Sequence, residues 1–411
     1  MSVPGTMRAV RIAGHGGPEV LEAVEVPVPA PGAGEVLVEV SAVALNNTDL
    51  WTREGAYGSP QDATALSGWR GPIDFPRIQG ADVAGRVVAV GPREDVSADG
   101  GAGFDGGTGL DGGTGLDGGA VVDGDTVRAV DRDTARAVAG NAAEAAARGA
   151  AAEPNPYAGL LGHRVVIDPA VYDSDRQDAN PIGLMGSERD GGYAEYVTAP
   201  VGRVHDMTES PLTDDQLASL PTAYGTALGM IERGGLRDGE TALVSGASGG
   251  VGLALTQLAR ARGAKVLAVS SGSKADAVRA AGAHVVIDRA RDVAGQIRAA
   301  APDGIDIGLD VVAGELVSAC LPLLREGGRW VVAGALGGYG VTLDVRRLYL
   351  HNARVIGSSM HTPAHFGLLM DLAREGAVRP VVAATFPLAR AARAQEELAR
   401  RGHVGKIVLH P

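Results

Sequence analysis

Residues 241–262 read TALVSGASGGVGLALTQLARAR: a strand-prone run, a glycine-rich turn and a helix-prone run in direct succession. Ala247, Gly249 and Gly252 fill the three small positions of an A-x-G-x-x-G dinucleotide fingerprint. Gly249 lets the backbone approach a pyrophosphate, and Gly252 lets the helix pack close on the strand. Amides exposed at the helix start favour an anion. A glycine pattern alone is weak, but the flanking strand and helix strengthen it. The expectation is a bound dinucleotide.

The next strand decides which one. An NAD site places an acid at its tip for the ribose 2′-hydroxyl. Here KVLAVS ends in Ser270, Ser271, Gly272, Ser273 and Lys274, with no carboxylate. Hydroxyls and a lysine suit a 2′-phosphate, and Arg289 after the third strand can add charge, so NADPH is the expected cofactor. Lys274 can also be read as a solvated helix-start residue.

Metal chemistry has little to work with. Cys320 is the single cysteine, so neither an intrachain disulfide nor a four-thiolate zinc site can form. It reads as a small core residue. His361 and His365 lie four apart, but Pro363 separates them and no third ligand is evident. No metal is expected.

These residues need a scaffold. Residues 7–11, 35–43 and 84–90 read as strands between Pro and Gly breaks, and Pro27, Pro29 and Pro31 as an extended connector. Residues 162–169 and 187–196 also read as strands. After about residue 213 the period changes. Strand-like runs at 241–245, 265–270, 284–288, 306–312, 329–333 and 354–358 alternate with helical ones such as 252–262 and 273–281. That order implies right-handed crossovers and a six-stranded parallel sheet. Helices near 365–375 and 389–401 and a strand at 406–409 complete the tail.

Between these halves the composition shifts. GGTGLD occurs twice at 106–117, matching part of a calcium-binding roll repeat, but two partial copies cannot stack into a roll. Residues 93–161 read as an insertion carrying low-complexity sequence, with a short strand at 123–130 and an Ala-rich run at 134–152. Its Gly/Asp/Thr stretch, 98–119, is expected to be dispensable for folding, since it has little apolar surface to offset ordering entropy.

At 411 residues the chain suits two domains, and 45% apolar with 21% charged residues is an ordinary globular balance. A formal charge of −12 argues against nucleic acid as a partner. No apolar run reaches the ~20 residues a membrane span needs, and the first 11 residues show no secretory core. A cytoplasmic protein is expected.

The turn, together with PTAYGTAL at 221–228 and GGRWVVAG at 327–334, resembles the medium-chain dehydrogenase/reductase superfamily. NNTDLWTREGAY at 46–57 and GADVAGRVVAVG at 80–91 are similar to its zinc-free quinone oxidoreductase-like branch. The resemblance implies an α/β protein, with a GroES-like β-barrel catalytic domain at 1–212 and a Rossmann NADP-binding domain at 213–358. A C-terminal segment, 359–411, returns to the first. It implies that Asn46, Thr222, Ser248, Gly249, Gly250, Val251, Lys274, Gly314, Ala333, Gly334 and Ala335 line the cofactor. Lys406 resembles a late lysine of the family, and a surface charge is the alternative.

Zinc alcohol dehydrogenases of the superfamily carry Cys-His at Asn46-Asn47 and Gly-His-Glu at Gly80-Ala81-Asp82. Both ligand positions are replaced. Without a Lewis acid, the natural chemistry is hydride transfer to a carbon activated by conjugation, in an enone or quinone. Tyr57 matches a proton-donor position in related enoyl reductases, or packs against the cofactor. The longer stretch 58–78, with Trp69 and Phe75, is expected near the cleft. Alcohol or carbonyl redox, a non-redox cyclisation and cofactor binding without turnover stay open beside the reductase. The small molecule is the only partner expected apart from a second copy, since residues 355–358 could extend a sheet across a two-fold axis.

Overall fold

The computed structural model describes residues 3–58, 68–93 and 155–411. The chain divides into two compact units, Met1–Pro92 with Gly159–Pro411, and Arg93–Ala158. The architecture below belongs to the first unit. The 106–117 repeats, the 98–119 stretch, the expected strand at 123–130 and the run at 134–152 lie outside the described residues.

Six strands form one parallel sheet: Thr241–Val244 (β1), Lys265–Ser270 (β2), Val285–Asp288 (β3), Ile305–Asp310 (β4), Leu324–Val332 (β5) and Arg354–Gly357 (β6). Their order is β3-β2-β1-β4-β5-β6, as expected for a dinucleotide-binding sheet. All four residues of β1 are buried, because helices cover both faces; the strand therefore reads as continuous apolar sequence. The order reverses between β1 and β4. At such a switch point the strand ends leave a crevice for a ligand. β5 begins five residues before its expected start, and its pairing with β4 shifts register between Ile305 and Ile307.

Helix Gly250–Ala261 follows the glycine turn. Helix Pro221–Gly234 went unread in the sequence. It opens with Pro at its first turn and closes on Gly235 at φ 58°, a left-handed cap. Twelve of its 14 residues are buried, so it shows almost no polar face for periodicity to detect.

A second sheet sets Val204–Asp206, Arg164–Ile167, Asp82–Val90, Glu35–Ala44, Lys406–His410 and Val382–Pro387 side by side, mostly antiparallel. Tyr196–Pro200 also pairs with Glu35–Ala44. A small sheet joins Leu21–Pro27, Thr6–Ile12 and Arg77–Ile78. The strand expected at 187–196 starts only at Tyr196. Upstream, the backbone divides its bonds: Tyr193 N donates to Gln79 O, Val10 N to Tyr193 O and Val40 N to Glu195 O. Serving several partners breaks the regular ladder.

One apolar core joins the sheets. Ala42, Ala44, Ala84 and Val166 pack in the same cluster as Tyr224, Leu228, Val244, Ala254 and Leu309. Among the described residues no helix is long and apolar enough to cross a membrane.

Candidate active site

The glycine turn is shaped by contacts that exclude side chains. Gly246 sits at φ 56°, and Ala247 N donates to Val269 O at 3.0 Å, fastening the turn to β2. A Cβ on Gly252 would lie 2.2 Å from Gly246 O and 2.6 Å from Ala247 Cα. Only glycine lets the helix approach this closely. Beneath the turn, Ser245 Oγ donates to Asp310 Oδ1 at 2.6 Å. The same oxygen accepts the amides of Val312 and Ala313, and Trp330 Nε1 donates to Oδ2. Asp310 thus ties β1, β4 and β5 together below the crevice, a role that no sequence motif announced.

A cavity of about 680 Å³ runs along the switch point. The structure gathers Asn46, Tyr57, Thr222, Ser248, Gly249, Gly250, Val251, Gly252, Ser270, Ser271, Lys274, Arg289, Ala333, Gly334 and Lys406 on its wall. Three expected residues stand back from it. Ala247 is fully buried behind Gly252. Gly314, at φ 60°, caps helix Glu315–Cys320 while Val312 and Glu315 face the cavity. Ala335 lies between lining residues Gly334 and Leu336. Trp69 reaches the wall, whereas Phe75 packs edge-on against His15 at 4.8 Å, away from it. Cys320 is buried in the core, and burial raises its thiol to about 12.

At one end the wall is cationic. Lys274, Arg289, Arg401 and His403 line it beside Ser270 and Ser271. Burial, with Arg289 nearby, lowers the Lys274 amine below its ordinary value. Lys274 is not a free solvated residue: its amine donates to Arg401 O at 2.7 Å and His403 O at 2.8 Å. It therefore holds the C-terminal segment across the turn, where Gly405 N donates to Ser248 O at 3.1 Å. Arg401, His403 and Gly405 were missed because nothing local marks them; Lys274, 127 and 129 residues upstream, brings the first two here, and Ser248 the third. Ser270 Oγ is buried without a partner among the described residues. An orphaned hydroxyl, crowded cations and a glycine cradle fit the phosphates of a dinucleotide.

The other end is built on Asp82, which is fully buried and accepts four hydrogen bonds. Thr222 N and Oγ1 donate to its Oδ1 at 2.8 and 2.5 Å, and Asn46 Nδ2 and Lys406 Nζ to its Oδ2 at 2.9 and 3.1 Å. Lys406 Nζ also donates to Asn46 Oδ1 at 2.5 Å. Lys406 is only 4% exposed, which rules out the alternative of a surface charge. Asn46 spends its amide on Lys406 and Asp82, and Ala81 offers only a methyl. This donor set does not fit a zinc ion. His361 and His365 do not converge either. His361 Nε2 lies 2.9 Å from Asp168 Oδ1, and His365 closes its own helix cap with Thr362.

Asp49 caps helix Asn47–Glu54 by accepting from Asn46 N at 2.7 Å. Burial pushes its carboxyl up to about 7, against the Asn46 amide, and the charge of Asp82 adds to the rise. An unfolded chain releases that proton near ~3.9. The folded state therefore holds more protons between about pH 4 and 7, and stability falls as pH rises through that window. Asp49→Asn keeps an acceptor for Asn46 N and removes the titration. Urea melts at several pH values are expected to show a flatter slope between pH 4 and 7; an unchanged slope contradicts this account.

Comparisons with known proteins agree with this geometry. Residues 32–102 match the alcohol dehydrogenase GroES-like domain, and 250–375 the zinc-binding dehydrogenase domain. A solved Sinorhizobium meliloti protein assigned as an alcohol dehydrogenase is 38% identical over 100% of this chain and 98% of its own, with a TM-score of 0.80. Mouse (Mus musculus) quinone oxidoreductase is 29% identical over 98% of this chain and 97% of its own. A mycobacterial protein solved in complex with NADPH is 26% identical over 98% of this chain and 100% of its own, at a TM-score of 0.67. The GroES-like half, the Rossmann sheet and the end-to-end match at 38% identity place the chain in the medium-chain dehydrogenase/reductase superfamily, to which it belongs as an oxidoreductase.

Proposed function

We propose that the protein is a zinc-independent, NADPH-dependent reductase of an enone or quinone. The observation that carries this is the Asn46–Asp82–Lys406 cluster, where amide, carboxylate and ammonium satisfy one another on the cavity wall. Likeness to quinone oxidoreductases supports it.

When bound, NADPH supplies a hydride to a carbon conjugated with a carbonyl. The protein's residues handle position and charge. The glycine turn and the amides that open helix Gly250–Ala261 hold the pyrophosphate. Asn46, oriented by two fixed partners, lines the reaction end, and Lys406 adds positive charge beside it. Tyr57 holds a proton on the same wall. Burial keeps its phenol well above the ordinary value, against an opposing hydrogen bond from Thr48, so it stays protonated at working pH. A substrate panel followed by NADPH absorbance tests the reading. Consumption with enones or quinones and none with simple ketones is expected. Stronger turnover of alcohols with NADP⁺ would favour a second reading, alcohol oxidation, which the Sinorhizobium relative suggests.

The preference for NADPH rests on the cationic end. The only carboxylate lining the cavity among the described residues is Glu315, and β2 ends in serines. Arg289→Gln is expected to raise KM for NADPH about tenfold, the worth of one charge-assisted hydrogen bond, and to leave KM for NADH unchanged. Equal effects on both cofactors would remove Arg289 from the 2′-phosphate site. We also propose a homodimer through the outer edge of β6. Val355 on that strand and the neighbouring Tyr349 and Leu350 are 49–65% exposed, and sedimentation at twice the chain mass is the expected result.

A further inference from the structure

Beside the reaction cavity lies a second one, of about 510 Å³. Ala333 and Ser359 line both, so the two adjoin past the C-terminal end of β5. Among the described residues the second cavity is lined by two arginines, Arg70 and Arg233, and by no Asp or Glu.

Arg233 stands in the last turn of helix Pro221–Gly234. Its Nη1 donates to Ser358 Oγ at 3.0 Å and Met360 O at 2.7 Å. A guanidinium has five N–H donors, so three remain. Among the described residues they have no partner, and no carboxylate pairs with Arg233; the Ser358 hydroxyl and the Met360 carbonyl hold the group at the wall. Arg70 sits over the Trp69 ring, 5.2 Å from its centroid, and Trp69 in turn lines the reaction cavity. A half-buried guanidinium with no counter-charge among the described residues is costly to keep, and Arg233 together with the exposed Arg70 on the same wall matches a carboxylate.

We propose that the substrate carries a carboxylate that this pocket binds, a few bonds from the double bond to be reduced. The proposal rests on the reductase reading for its reaction and on the two arginines alone for its anion. For such an enone, hydride adds at Cβ, the electron pair moves to the carbonyl oxygen and a proton adds at Cα. The carboxylate is unchanged, and NADPH leaves as NADP⁺.

Two measurements separate the site from the reaction. The first titrates the full chain, with NADP⁺ present, using 6-oxoheptanoate and its neutral amide at low ionic strength. Neither probe can be reduced as an enone. The acid is expected to bind at least tenfold tighter. Arg70→Gln, on an exposed side chain, should lower that preference several-fold, and adding Arg233→Gln should abolish it, while Arg233→Lys keeps most of it. Equal binding of acid and amide overturns the proposal, as does a preference untouched in folded Arg70→Gln. The second measures turnover of 6-oxohept-4-enoate and its amide. A tenfold higher kcat/KM for the acid, through KM, supports the pocket as a substrate site; faster turnover of the amide overturns that. Tight, arginine-dependent binding without turnover of either enone supports the anion site and overturns the reductase reading instead.

Discussion

A chain carrying Met in place of Lys406 is expected to lose about 3–5 kcal/mol of stability at neutral pH, the usual cost of breaking a buried ion pair from one side. Asp82 is fully buried, and Lys406 brings its only charged hydrogen bond among the described residues. Methionine fills much of the space of the lysine stem, so the loss reports the stranded carboxylate rather than a cavity. The double variant Lys406→Met/Asp82→Asn should recover most of the loss, because it strands no charge. Urea unfolding of the wild type, both single variants and the double variant closes the cycle. A loss below about 1 kcal/mol for Lys406→Met would mean that Thr222 and Asn46 suffice to hold Asp82.

Tyr57→Phe is expected to lower kcat by about 10²–10⁴-fold, the usual worth of a positioned general acid. The ring should stay in place. It packs edge-on against Trp51 with centroids 5.5 Å apart, a contact that phenylalanine retains. KM for NADPH should therefore hardly move. Because the phenol lies above its ordinary value, the wild-type rate should show no loss from its ionisation up to pH 9. A deuterium isotope effect with labelled NADPH establishes whether hydride transfer limits the rate. A loss below threefold while that step is limiting would assign the proton to water.

Much of the nucleotide-binding half was legible because its signals are local. Buried parallel strands are apolar on both faces, and the turn at 246–252 needs small residues where the backbone folds back on itself. What escaped reading depends on distant partners. For Lys406 the family likeness named the residue but not its partner, which appears only when the strand Lys406–His410 pairs beside Glu35–Ala44 and brings its amine to Asp82. Arg401 and His403 join the cationic end only because Lys274 grips their carbonyls. Arg233 gave no sign at all, since its meaning lies in having no counter-charge among the described residues. Asn46 was singled out for what it replaces; the structure adds what fixes it.

Helix Pro221–Gly234 and the core around it bear on how the protein comes apart. Its buried side chains touch apolar residues of both sheets, so neither half owns its hydrophobic interior. Melting one half would expose to water the surface that holds up the other. Heating should then give one calorimetric transition rather than two, and a fragment cut at either end of this helix should be sticky and poorly folded.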